Sequence, residues 1–331
     1  MTKIEWTNET WNPIVGCSKI SQGCDNCYAE KMAYRLTHIL GNIGKDINDS
    51  WVAYSDVIKN KKWNGKTQLV NSALDKPTKW KKPRMIFVCS MGDLFHESIS
   101  FVQINTIFSI MSDVDHHIYQ VLTKRPDRVK KFFEWKNKMH EIYWQPKNNI
   151  WFGVTAENQE QADKRIHVLL QIPAALRFIS CEPMLSQIDL SKYIGLNICK
   201  CEMPVKIKGK EECFRCKQYL PEKFHPRTKI DWVICGGESG AKARPMHPDW
   251  VRSLRDQCKT AHVPFFFKQW GEWEPRYYVN AKTKKPVFNI TPSNKEIFIT
   301  DPEPVNMYRS GKNKAGRKLD GIEYTEFPIL K

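Results

Sequence analysis

The sequence predicts an α/β fold: a (βα) barrel, partial, with about six βα units. Two observations carry that expectation. Six short runs rich in β-branched and aromatic residues are almost continuously apolar, the pattern of strands buried on both faces of a parallel sheet. Successive runs also start about 32, 32, 26, 56 and 32 residues apart, close to one βα unit per step. The runs are Met85–Cys89, Ile118–Leu122, Ile150–Val154, Leu176–Ser180, Trp232–Cys235 and Pro264–Phe267. Helices are expected between them over Phe101–Asp113, Arg128–Lys138, Asn158–Leu170 and Pro248–Ala261. The one step that is a whole unit too long has its excess at Asn197–Lys229. The expected division is a barrel portion over 1–196 with a basic insertion at 58–84, a small insertion at 197–229, the remaining barrel over 230–275, and a basic C-terminal extension over 276–331.

Composition narrows the function classes. With 331 residues, 41% of them hydrophobic, and 12 Trp, 11 Tyr and 16 Phe, the chain has ample material for a packed core and does not read as disordered. No apolar run approaches the length of a membrane span, and Met1–Pro13 lacks the apolar region of a secretory signal. A cytoplasmic location is expected, where 11 cysteines point to metal or cluster ligation rather than disulfides. The net charge of +16 points to a polyanionic partner, nucleic acid being the expected one. Half of that excess falls between Ile58 and Arg84, where nine basic residues stand against the single acid Asp75, with Trp63 and Trp80 among them. Cations interleaved with flat aromatic faces suit phosphate neutralisation and base stacking; the alternative is a solvated loop whose tryptophans pack on the barrel wall.

Two cysteine sets carry metal chemistry. In the insertion, Cys199, Cys201, Cys213 and Cys216 are spaced C-x-C-x11-C-x2-C, a knuckle arrangement that suits structural, tetrahedral Zn2+. Near the N-terminus, Cys17, Cys24 and Cys27 are spaced C-x6-C-x2-C in a glycine-bearing loop ahead of a helix starting near Tyr28. A [4Fe-4S] cluster fully held by protein takes four cysteines. Three would leave one iron open to a small molecule. The competing reading is zinc completed by a further Cys or His, and His38 stands eleven residues on.

At this loop the sequence resembles the radical S-adenosylmethionine (SAM) enzymes, although their usual spacing is C-x3-C-x2-C. N-P-x-x-G-C before the loop and C-x-x-C-Y-A at its end are similar to the spore photoproduct lyase-like branch. Over nearly the whole chain the sequence resembles a phage and bacterial family of three-Cys-motif proteins. The shared motifs are W-N-P-I-x-G-C, S-M-G-D-L-F, L-T-K-R-P, C-E-P-M-L, G-G-E-S-G, F-K-Q-W-G and A-G-R-x-L-D-G. The resemblance implies a [4Fe-4S] cluster on Cys17, Cys24 and Cys27 whose free iron chelates SAM. One electron, from a donor such as flavodoxin or ferredoxin, would then release a 5′-deoxyadenosyl radical that abstracts hydrogen from the substrate; the cofactor carries the hard chemistry.

Functional residues of (βα) barrels gather at the C-terminal ends of strands. Here nearly every apolar run is followed by polar groups, which suggests a lined cavity. The resemblance assigns Ser90, Gly92 and Asp93 to the SAM amino group. Thr155, Glu157 and Glu182 are candidates for ribose hydroxyls, and Lys124 and Arg125 for a carboxylate or phosphate. Gly236 and Gly237 permit close approach to a ligand, with Glu238 beside them. For the strand-end polar residues the alternative is a surface ion pair, and for the glycine pair an ordinary turn. Cys181 and Cys235 fall in or after core strands, as inert buried thiols would. The lyase-like branch implies another role, hydrogen donation to a substrate radical. The glycine-punctuated basic stretch Tyr308–Lys318 reads either as a phosphate cradle or as a surface loop. Together these readings give a radical SAM enzyme acting on a nucleic-acid base in repair or modification. The rivals are a non-enzymatic zinc or iron–sulfur nucleic-acid-binding protein, and a radical enzyme acting on a protein or small molecule.

Overall fold

The computed structural model describes residues 4–41, 49–140, 144–194, 204–207, 210–213, 229–276, 278–279, 286–287, 296–299 and 304–329. Its centre is one seven-stranded sheet: β1 (Glu9–Trp11), β2 (Met85–Val88), β3 (Ile118–Thr123), β4 (Ile150–Thr155), β5 (Leu176–Cys181), β6 (Trp232–Gly236) and β7 (Phe265–Gln269). The strands lie in chain order, each parallel to the next. Strands added always on the same side, with right-handed crossovers, send every connecting helix to one face and curl the sheet toward the other. The result is an open half-barrel of seven strands. The six apolar runs are all present. The additional strand, β1, is only three residues long and too short to show periodicity in the sequence.

The helices are α1 (Tyr28–Gly41), α2 (Asp49–Val57), α3 (Phe101–Asp113), α4 (Pro126–His140), α5 (Gln159–Leu169) and α6 (Pro248–Thr260). Local chemistry starts them where the sequence suggests. Ser100 and Gln103 form a reciprocal capping box on α3, the Asn158 side chain accepts from Gln161 N on α5, and Pro248 opens α6.

Alternation along the strands builds two cores. On the helix side, Val88, Val121, Val154, Ile179, Val233 and Phe267 meet Phe108, Phe132, Ile166 and Leu254. On the concave side, Phe87, Trp151, Phe178, Trp232 and Phe266 close around Trp6 from the N-terminal segment. Phe327 adds its ring to Trp232 and Phe266 from the C-terminal segment. That segment also covers the open edge: Phe266 bridges Thr325, and Phe267 N donates to Tyr324 O at 2.9 Å. The half-barrel is thus filled by aromatic rings toward the N-terminal ends of its strands.

The four-cysteine insertion lies largely outside the described residues. Of the four-cysteine set, Cys199, Cys201 and Cys216 are not described, and only the backbone of Cys213 is, at the end of the hairpin Pro204–Ile207 with Lys210–Cys213. No helix among the described residues is long and apolar enough to cross a membrane.

Candidate functional site at the strand C-termini

The cysteine loop leaves β1 and is seated across the C-terminal ends of the strands. Asn12 begins the seating: its Oδ1 accepts from Ser90 Oγ (3.1 Å) and Met91 N (3.0 Å). Gly16 N then donates to Met91 O at 3.1 Å, and Gly16 bridges Gly92 in parallel. Both glycines are required. Gly16 has φ +92°, and a Cβ on Gly92 would stand 2.8 Å from Gly16 O. Tyr28, the first residue of α1, donates its hydroxyl to Ser90 O at 2.9 Å, its hydroxyl end buried while the residue as a whole stays 53% exposed. Cys17, Cys24 and Cys27 are free, half-buried thiols on this one loop.

Three strand-end carboxylates hold the loop in place. After β2, Asp93 accepts from Thr123 Oγ1 (2.7 Å), Phe95 N (2.9 Å), Lys124 N (3.1 Å) and Arg125 Nη1 (3.2 Å). The Arg125 guanidinium, nearly fully buried, reaches on to Cys17 Sγ at 3.8 Å, Ser18 O at 3.2 Å and Ser18 Oγ at 2.9 Å, and pairs Glu97 at 3.0 Å. His96 Nε2 completes this cluster, 2.9 Å from Ser18 Oγ; burial and the Arg125 charge lower its pKa, so the neutral ring is favoured. After β4, Glu157 is fully buried, pairs Arg165 at 2.7 Å and accepts from Gly23 N at 3.4 Å. Burial works to raise its pKa, but Arg165, the Ser21 hydroxyl and Lys124 outweigh it and hold the carboxyl below its usual range. After β6, Glu238 accepts from Asn26 Nδ2 (2.9 Å) and from Arg244 through Nε (3.0 Å) and Nη2 (2.6 Å). Arg244 in turn donates to Gln22 O at 2.9 Å.

The sequence reading selected Asp93, Arg125, Glu157 and Glu238 as ligand-binding groups. In the structure Arg125, Glu157 and Glu238 bond directly to the cysteine loop, and Asp93 reaches it through Arg125. Ser90 and Gly92 join them through the backbone contacts above. The groups left facing the concave side are different. By strand alternation Thr155, Ser180 and Gly236 stand above the aromatic filling, and Glu182 and Lys268 pair there at 2.7 Å, both half-buried. A Cβ on Gly236 would sit 3.3 Å from the Glu182 carboxyl, and one on Gly237 would overlap the Trp270 carbonyl. The Lys124 side chain is half-buried beside this floor.

Cys181 and Cys235 are not brought to the loop. Both are fully buried in the helix-side core, Cys235 Sγ lies 3.6 Å from Met184 Sδ, and burial raises both thiol pKa values. Strand alternation turns them away from the concave face on which the floor residues sit. The basic stretch Tyr308–Lys318 packs against the glycine loop: Arg309 Nη2 donates to Gly240 O (3.1 Å) and Ala241 O (2.6 Å). Two surface clefts, of about 630 Å3 beside Ser253 and Gln257 and about 370 Å3 beside Tyr34 and Lys61, lie away from the strand-end floor.

Ser18, Asn26, His96, Arg165 and Arg244 escaped the sequence reading. Ser18, Asn26, His96 and Arg244 act across elements far apart in the chain, and Arg165 turns from its helix onto the preceding strand end, contacts that no periodicity or motif spacing reports. The cysteine donor set suits an iron–sulfur cluster: three soft sulfurs on one loop, a cation beside one of them, and no fourth cysteine within that loop's sequence. Among the described residues, Cys17, Cys24 and Cys27 included, no three His, Cys, Asp or Glu side chains are arranged to hold a metal ion. Burial, with the Asp93 charge, pushes the Cys17 thiol up to about 12, so ligation must displace a firmly held proton.

No curated protein and no solved structure matches this chain. Residues 1–328 match the family described as "Protein of unknown function (DUF5131)", and the chain belongs to that family.

Proposed function

We propose that this chain is a radical SAM enzyme: Cys17, Cys24 and Cys27 hold a [4Fe-4S] cluster at which SAM is reductively cleaved, and hydrogen is abstracted from a nucleic-acid base. The observation that carries the reading is the three-thiol loop fastened across the C-terminal ends of a sequentially ordered parallel half-barrel, where such folds gather their chemistry. When bound, the cluster supplies the electron that breaks the sulfonium bond.

The chain's own residues do the rest. Arg125 and Asp93 fix the Cys17 end of the loop, while Glu238, Arg244 and Asn26 fix the turn between Cys24 and Cys27. Such two-ended support keeps three ligands in register. Glu182 offers an acceptor and Lys268 a donor toward a ligand on the floor. The aromatic filling below excludes water from that side. The resemblance adds a flavodoxin- or ferredoxin-class electron donor and a structural Zn2+ on the second cysteine set.

The test is anaerobic reconstitution with iron and sulfide, then electron paramagnetic resonance (EPR) of the reduced protein with and without SAM. The expected result is a [4Fe-4S] signal that shifts on SAM addition and vanishes in Cys24→Ala. Zinc alone at these cysteines, with no response to SAM, would refute the proposal and leave a metal-bearing nucleic-acid-binding protein.

A further inference from the structure

The nine basic residues of Ile58–Arg84 form one block in sequence and two in space. Lys79 is paired with Asp75 at 2.6 Å, and Arg84 with Glu9 at 2.5 Å. Trp80 packs on the main core. Arg84 O accepts from Ile118 N at 2.8 Å, which puts this half, with Lys81 and Lys82, by the N-terminal ends of the strands. The first half lies by the opposite ends. Ile58–Lys59 and Lys62–Trp63 form a hairpin whose turn, Asn60 (φ 52°) and Lys61 (φ 63°), suits a tight two-residue connection. Its root rests on the cysteine loop: a Cβ on Gly16 would collide with the Lys66 carbonyl and lie 2.7 Å from Val57 Cγ1. Trp63 N donates to Glu30 Oε1 at 2.9 Å, and the Trp63 ring packs inward.

Lys59, Lys61 and Lys62 are exposed on that hairpin, and Lys61 Nζ lies 5.4 Å above the Tyr34 ring of α1. Lys31 and Arg35, one turn apart on α1, are exposed beside them. Lys31 also spans toward the glycine loop, where a Cβ on Gly240 would lie 3.2 Å from Lys31 Nζ. None of these five cations is in an ion pair among the described residues. Five like charges on one surface, none of them ion-paired, cost self-repulsion, which an anionic strand would relieve. Next to them is Tyr28, directly after Cys27, about half of its surface exposed although its hydroxyl end is anchored on Ser90 O.

We propose that Lys31, Arg35, Lys59, Lys61 and Lys62 track the phosphate backbone of a single-stranded nucleic acid alongside the cysteine loop, with the Tyr28 ring as the stacking face for an unpaired base. This deepens the nucleic-acid part of the reading above and rests on it, but not on the cluster. A strand is favoured over a membrane because the cations run from the hairpin across α1 toward the glycine loop, a line that a phosphate backbone can follow. Met32 and Ile39, exposed on the same helix, make anionic vesicles the competing target.

The experiment is fluorescence anisotropy of the full chain with labelled oligothymidylate and oligouridylate across a salt series, on apo and reconstituted protein alike. Five phosphate contacts predict a slope of log K against log salt of about −3.5, falling to about −2 when two are removed. K61E/K62E is expected to show that fall and K81E/K82E to keep the wild-type slope. Wild-type protein that does not bind either oligonucleotide at low salt overturns the proposal. So does an equal loss in both double variants, or binding only to phosphatidylserine vesicles. A SAM-responsive EPR signal in K61E/K62E would show that the two readings stand or fall separately.

Discussion

Replacing Glu157 by Gln tests how the cysteine loop is supported. The carboxylate is fully buried and its partner Arg165 nearly so, at 2.7 Å. Gln keeps an acceptor for Gly23 N but strands the Arg165 charge in the interior. Removing one partner of a buried pair costs about 3–5 kcal/mol. Arg165 Nη1 also donates to Thr155 O at 2.8 Å, which places the expected loss near the lower bound, about 3 kcal/mol. Urea unfolding should show a lower midpoint at unchanged slope. The double variant Glu157→Gln/Arg165→Met should lose less than the two single losses combined, because the stranded charge is gone. The gap between wild type and Glu157→Gln also carries a pH signature. The folded pKa of Glu157 is depressed, so its contribution is complete above the unfolded value of about 4.3 and is lost as pH falls through the folded value. A cost under about 1 kcal/mol at pH 7, the level of an exposed pair, or a gap that widens on acidification, would refute this account.

Arg125→Gln and Arg125→Lys should both lower the iron retained per chain after reconstitution, since neither reproduces a fork that meets Cys17, Ser18, Asp93 and Glu97 together. Wild-type iron content in both would remove Arg125 from the loop's support. Gly237→Ala should destabilise by about 1–3 kcal/mol, because the new methyl overlaps the Trp270 carbonyl and two strand-end loops must part. An unchanged urea midpoint would refute that packing. Alkylation of the folded apo protein, mapped by mass spectrometry, should label Cys24 and Cys27 well before Cys181 and Cys235. Early labelling of Cys235 would mean that the concave face reaches it after all.

Much of this protein is determined by its sequence alone. Runs buried on both faces are apolar at nearly every position, so six of the seven sheet strands announce themselves, and caps such as Ser100 with Gln103 act within one turn and are legible for the same reason. The spacing of Cys17, Cys24 and Cys27 likewise declares three donors on one loop. What only the tertiary structure decided is how the polar strand ends divide their work. Glu157 and Glu182 look alike in sequence, each a carboxylate just past an apolar run. One is committed to Arg165 and Gly23, the other faces the floor with Lys268. The basic block and the Cys181/Cys235 pair are sorted in the same way, by which end or face of the sheet each residue reaches. Those assignments depend on strand alternation and on partners up to hundreds of positions away, such as Asn26 with Glu238. Composition and local spacing are short-range properties, whereas a buried charge is satisfied by whatever the fold brings within hydrogen-bonding distance.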